Sequence, residues 1–206
     1  MPKKPDIAHI KSTANAQLAT ASRRYQEAQQ RQLDYLVLRW IASMTAVEVY
    51  AVWERYAEKR LTAALVYYPQ TFLADNNIRG LKSISVGLAA VLVRGSSRYF
   101  DFRSVGDLID RGDRLLGNSQ NPFRHLPASK KVYLDTLGAI RNYVVHQSES
   151  ALAAYKRCLS DVYGIKSKPR PDEFLNAIDY RRDSPARRRP RIFGLIQVVE
   201  DAVNCL

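Results

Sequence analysis

Two cysteines, three histidines, two methionines and nine glycines are all this chain of 206 residues has of those types. Cys158 and Cys205 have neither metal-ligand nor redox spacing and are too few for a disulfide scaffold, which implies a reduced, intracellular protein. Long apolar runs are missing too. The longest near-apolar stretch, Val86 to Val93, is far short of the ~20 residues that a membrane span needs. The first residues, Met1-Pro2-Lys3-Lys4-Pro5-Asp6, are basic but have no apolar segment behind them, so no secretory signal is expected. Together these absences imply a cytoplasmic protein without membrane segments. There is no phosphate-binding loop ending in Gly-Lys-Ser/Thr and no Ser-centred nucleophile elbow, which excludes the common NTPase and α/β-hydrolase chemistries.

Acidic residues are the other deficit. Lys+Arg is 32 against Asp+Glu 20, a formal charge of +12. Such an excess attracts polyanions at long range. It argues about association and not about fold, and a merely soluble basic protein has the same balance. The length is enough for one substantial domain with a real core.

What is abundant is helix former. From Ser12 to Tyr68 there is no glycine, and Pro69 closes the run. Thr45-Ala46-Val47-Glu48 reads as a capping box, predicting one helix from about Thr13 to Ile41 and another from about Ala46 to Tyr67. In the second, Val49, Val52, Trp53, Tyr56, Leu61, Ala64 and Leu65 recur at spacings near three and four and predict one broad core face. Ile78 to Val93 is ambiguous between strand and helix, and its length and alanine content favour helix. Ser104 as N-cap and Gly117 as stop bracket a short helix. Asn118 to Pro127 is a loop, Ala128 to His146 a helix, and Glu149 to Tyr163 a further helix closed by Gly164. Beyond Gly164 the character changes to a basic, proline-containing stretch, with a short helical candidate at Asp172 to Asp179. A last amphipathic helix, Ile192 to Asn204, folds back through Ile192, Leu195, Ile196 and Val199. The expected fold is all-α: a flexible tail over 1–11, a helical bundle over 12–163, and a basic loop with a C-terminal helix packed on the bundle over 164–206.

The densest chemistry lies in Arg141-Asn142-Tyr143-Val144-Val145-His146. It places a fixed cation, a hydrogen-bonding amide and an imidazole, the side-chain type that changes charge near neutral pH, within about two helical turns. Asn142 and His146 are four apart and share a face; Arg141 and His146 diverge by about 140° on an ideal helix. One helix alone makes a poor closed site. Two copies across a two-fold axis would bring each motif opposite its mate. A capped helix end is the plain alternative, since cations favour a helix C-terminus. The Arg187-Arg188-Arg189 cluster, with Arg181 and Arg182, suits a phosphate backbone; a solvated loop fits it equally. His125, beside Arg124, reads as an exposed loop histidine. Asp107 and Asp110 superficially suggest a nucleotidyltransferase, but they stand three apart on a predicted helix, where a metal-binding pair on a strand would stand two apart.

Ile140-Arg141-Asn142-Tyr143-Val144-Val145-His146 resembles the signature of the HEPN superfamily: an arginine, usually a polar residue, then a histidine near the end of a helix. Ala46-Val47-Glu48-Val49-Tyr50 resembles the acidic-aromatic pattern on an early HEPN helix, and Asn121-Pro122-Phe123 with Leu126 resembles the loop before the motif helix. The resemblance spans roughly Leu33 to Tyr163. It implies an up-and-down helical bundle, a homodimer with a shared cleft, and an endoribonuclease that needs no metal or other cofactor, in a toxin or defence setting with RNA as substrate and an antitoxin or defence protein as a further partner. It assigns acid/base work to His146, phosphate clamping to Arg141 and orientation to Asn142, with Glu48 or Glu54 positioning Arg141 or RNA. The alternative is a catalytically silent helical adaptor that binds RNA or protein. In family toxins paired with a nucleotidyltransferase antitoxin, a tyrosine often stands two residues after the histidine. Here Gln147 and Ser148 follow His146, so regulation through such a tyrosine is not implied.

Overall fold

A computed structural model describes residues 4–167, 169–180 and 189–206. The fold is all-α, with no strand among the described residues. The elements are α1 (Ile7–Gln30), α2 (Tyr35–Tyr67), α3 (Gln70–Asp75), α4 (Val86–Arg94), α5 (Val105–Leu116), a 3-10 turn at Pro122–His125, α6 (Ala128–His146), α7 (Glu149–Tyr163), α8 (Pro171–Asn176) and α9 (Arg191–Cys205).

The long helix α2 is the axis of the fold, and α1, α4, α6, α8 and α9 all pack against it. Its buried face carries Val49, Trp53, Tyr56, Leu61 and Leu65, as the periodicity predicted. Trp53 stacks near Tyr56 with ring centroids 5.9 Å apart. Tyr56 lends its hydroxyl to the Val203 carbonyl at 3.0 Å, which pins α9 to the axis. By length and composition α2 could cross a membrane. In this fold its C-terminal two-thirds is instead enclosed by neighbouring helices.

The predicted break at Thr45 is not there. Thr45 is buried in the middle of α2, with Ala42 and Ala46 beside it. The chain turns eleven residues earlier. Gln32 takes a left-handed φ of 50°, and the Asp34 carboxylate accepts the Leu36 amide at 2.8 Å. A capping-box sequence offers only local hydrogen bonds, and burial of Ala42, Thr45 and Ala46 in the core outweighs them.

The predicted tail is partly structured as well. Asp6 caps α1 by accepting the His9 amide at 3.1 Å, so the helix begins at Ile7, inside the stretch assigned to the tail. Tyr67 donates to the Pro5 carbonyl at 3.0 Å, and Lys11 donates to the Asn204 carbonyl at 3.2 Å. At Ile78–Val93 only the last part is helical, because Ser85 caps α4 through the Leu88 amide at 3.2 Å. The helices α5, α6 and α7 fall close to where the sequence placed them, and α9 buries Ile192, Leu195, Ile196 and Val199. Cys158 and Cys205 are both free thiols.

Candidate functional site: an arginine and histidine cleft between α2, α5, α6 and α7

The helix α6 ends at His146 because Gln147 adopts a left-handed φ of 48° and returns its amide to the Tyr143 carbonyl at 3.0 Å. Ser148 then caps α7 by accepting the Ala151 amide at 3.2 Å. The two helices form a hairpin, with Tyr143 and Tyr155 stacked at 5.9 Å and 9° between planes. The hairpin sets the C-terminal turn of α6 beside the N-terminal turn of α7.

A cleft of about 680 Å³ opens there. Arg141, Asn142 and His146 of α6 line it, with Ser148, Ser150 and Ala151 from the start of α7. The axis helix adds Tyr50 and Glu54, the segment leading into α5 adds Asp101, Phe102 and Arg103, and α5 itself adds Asp107 and Arg111. Tyr50 and Glu54 are four apart and so share a face of α2. Tyr50 approaches α6 closely because Gly138 has no side chain: a Cβ there would stand 3.1 Å from the Tyr50 ring and hydroxyl. Asp135 fastens α5 to α6 by accepting the Val105 amide at 2.7 Å. Burial pushes the Asp135 carboxyl up, while that amide bond pulls it down.

The Arg141 guanidinium is half-buried. It lies over the Tyr50 ring, 5.9 Å from the centroid, and donates from Nη1 to the Asn142 carboxamide oxygen at 2.9 Å. Asn142 thus orients the arginine through its carboxamide oxygen. His146 is exposed at the mouth. Burial raises the Glu54 carboxyl above its ordinary 4.5; Arg141 opposes the shift and Asp101 adds to it. Tyr50 is raised as well, first by burial and then by the Glu54 charge.

The structure separates Glu48 from this group. Glu48 and Glu54 are six residues apart and point about 120° from one another around α2. Glu48 faces α1 and pairs with Arg24 at 3.2 Å, lining a different, shallower groove with Thr13 and Thr20. Glu54 is the carboxylate that shares the cleft with Arg141. Of the five arginines assigned to RNA backbone contact, Arg181, Arg182, Arg187 and Arg188 lie outside the described residues. Arg189 is exposed, sits 6.0 Å from the Phe193 ring, and does not line the cleft. His125 belongs to another hollow with Arg60 and Tyr68.

Sequence reasoning missed Asp101, Arg103 and Arg111. Their signal was faint: Asp107 and Arg111 stand four apart on a helix with a clear Ser104 cap, a pattern usual for a solvated face. Among the described residues no group of three or more His, Cys, Asp or Glu is placed to hold a metal ion.

Chemically, the cleft joins fixed guanidinium groups, an imidazole, a carboxyl shifted towards its neutral form, and the amide end of α7. That combination suits an anion whose charge grows during reaction. No family model, curated protein or solved structure matches the chain. Fold and site by themselves define the class: an all-helical protein with an open cleft lined by arginine, histidine and carboxylate.

Proposed function

We propose that the protein is a HEPN-type endoribonuclease working without a metal, in a cytoplasmic toxin or defence system. It cleaves RNA by 2′-hydroxyl attack to leave a 2′,3′-cyclic phosphate. The observation that carries this reading is the meeting of Arg141 and His146 in one cleft with Glu54. In the reaction a base takes the 2′-hydroxyl proton, O2′ bonds to phosphorus, the bond from phosphorus to O5′ breaks, and an acid protonates the leaving O5′. His146 takes one proton task, help worth ~10²–10⁴ in rate. Arg141, permanently charged, stabilises the phosphorane, a role worth ~10²–10³. Asn142 holds Arg141 in place, and the Glu54 carboxyl lies in the same cleft.

The second proton task falls to His146 of a second copy. An exposed stripe supports a homodimer: Leu36, Trp40 and Met44 are spaced by four along α2 and are 66%, 63% and 37% exposed. They border a groove whose far wall is Tyr143 and Val144 of the motif helix. Contiguous exposed apolar surface of this kind marks an interaction site.

Incubating the protein with RNA in EDTA tests the function. Cyclic-phosphate ends that vanish in His146→Ala are expected; equal cleavage by that variant removes the reading. The same apolar stripe also suits a silent adaptor for RNA or a partner such as an antitoxin. That reading predicts no cleavage, an intact dimer and salt-dependent RNA binding, whereas a nuclease should arrest growth on expression and His146→Ala should relieve it.

A further inference from the structure

Arg111 is a second cation of the cleft that the reaction just described leaves without a task. It projects from α5, half-buried, with its guanidinium carbon 5.2 Å from the Phe100 centroid. Its Nη1 donates to the Val93 carbonyl at the end of α4, at a long 3.5 Å. Among the described residues it makes no ion pair, and the same holds for Arg141. Both guanidinium groups are held by an aromatic ring and one neutral oxygen, so their charge and remaining N–H donors are left for an anion. The contrast with Arg39 and Arg124 is direct, since those arginines are committed to carboxylates at 2.8 Å and 2.6 Å.

The carboxylates of the cleft do not cancel this. Asp107 accepts the Arg103 backbone amide at 3.1 Å and stands in the first turn of α5. Glu54 is biased to its neutral form by burial and sits on the Arg141 side. Asp101 is the remaining acid, on the exposed rim. A cleft of about 680 Å³ is also in the range that encloses a whole small ligand, larger than one phosphate requires.

We propose that Arg111 is the seat of a second phosphate, next to the one held by Arg141 and His146. The cleft then takes a single strand of at least three nucleotides and discriminates against dinucleotides and cyclic mononucleotides. This rests on the ribonuclease reading for the identity of the ligand, but it concerns binding and is tested without turnover.

The test uses the full chain carrying His146→Ala and a short single-stranded RNA, with affinity read by fluorescence anisotropy over a salt series. For single strands each phosphate contact contributes a slope of about −0.7 in log K against log salt. Adding Arg111→Gln should weaken binding roughly tenfold and lower the slope by about 0.7, while Arg111→Lys should keep the slope. A single neutral methylphosphonate is also walked along the RNA. One linkage beside the most sensitive one should lose affinity with Arg111 present and lose none further with Arg111→Gln. If Arg111→Gln fails to fold, that walk with Arg111 intact decides: no second sensitive linkage overturns the proposal. An unchanged slope, or equal losses on all-phosphate and methylphosphonate RNA, overturns it too. RNA bound with this signature yet never cleaved by the unsubstituted protein would sink the nuclease reading alone. Cleavage with no Arg111 signature would sink this one alone.

Discussion

Glu54 on α2 and Arg141 on α6 line the same cleft, and each acts on the other's charge. Burial pushes the Glu54 carboxyl above its ordinary 4.5, against the pull of Arg141. A carboxyl raised on folding binds its proton more tightly in the folded state. The stability it lends is therefore complete below pH 4.5 and declines as pH rises through the folded value. Glu54→Gln should match the parent in melting temperature at about pH 4 and exceed it at about pH 8. If Glu54 also holds Arg141 for phosphate, the same variant loses RNA cleavage. A gain in stability with a loss of activity is the signature of a functional carboxylate. A variant that is less stable at pH 8 would show that the Arg141 attraction dominates instead.

Much of this arrangement was legible before the fold was known, and the reason differs from place to place. Ser104 and Gly117 fixed the limits of α5, and Gly164 the end of α7, because caps and stops are local chemistry. Arg141 and His146 stood out because a fixed cation, an amide and an imidazole crowd the last two turns of α6. Thr45 misled because its capping pattern is equally local but was overruled by burial in the core. Glu48 misled for a geometric reason: without knowing which face of α2 meets α6, two acids a turn and a half apart cannot be ranked. Arg103 and Arg111 were invisible because only the tertiary bond from Val105 to Asp135 brings α5 to the motif helix.

Gly112 and Asn121 make the next test. Asn121 is fully buried; it donates to the Ile109 carbonyl and to Asp113, both at 2.8 Å, and accepts the Phe123 amide at 3.0 Å. A Cβ on Gly112 would stand 2.6 Å from its carboxamide. Alanine gains about 1 kcal/mol over glycine in helix propensity, but such a clash costs ~1–3 kcal/mol and loosens three buried hydrogen bonds besides. Gly112→Ala should therefore destabilise by about 2 kcal/mol, lowering the melting temperature by roughly 4–8 °C. The loss should shrink in the Gly112→Ala/Asn121→Ala double variant relative to the sum of the singles, because the two share one contact. Full additivity would show that the amide is not what Gly112 accommodates.

The apolar stripe on α2 predicts assembly. Trp40→Asp places a charge among Leu36, Met44 and Val144, and should shift the protein from dimer to monomer in light scattering after size exclusion. On the proposed ribonuclease reading, RNA cleavage should fall with it, since each cleft would then lack the second imidazole. Tyr99→Asp is the control: Tyr99 is 69% exposed but lies on the loop before α5, away from the stripe. Unchanged mass in both variants would leave the stripe without a partner.

Arg39 holds the first turns of α2 to α8. Its Nε and Nη2 reach Asp172 Oδ2 at 3.0 Å and 2.8 Å, and Nη2 reaches Glu173 Oε1 at 2.8 Å. The Arg39 side chain is 11% exposed and that of Asp172 is 15%, so this pair is poorly solvated, unlike the exposed Arg23 and Glu27 pair. Around it Tyr35, Leu36, Val37 and Trp40 all face solvent, so little else secures this end of the helix. Removing Arg39 leaves Asp172 only the longer Arg170 pair at 3.4 Å and Glu173 only the Arg170 amide at 2.9 Å, and Arg39→Ala should cost about 2–3 kcal/mol, below the value for a fully buried pair because Glu173 is 40% exposed. The loss should be concentrated in amide exchange of residues 35–41 and of α8. Arg39→Lys should recover only part of it, since a single ammonium cannot reproduce the fork that serves both acids. Arg39→Met combined with Asp172→Asn and Glu173→Gln should lie closer to the parent than Arg39→Ala does, because no buried charge is left unpaired. If Arg39→Ala melts with the parent and its exchange pattern is unchanged, the bridge is ornamental and α8 is seated by buried Phe174 and Leu175 and by the Arg191 bond to the Phe174 carbonyl.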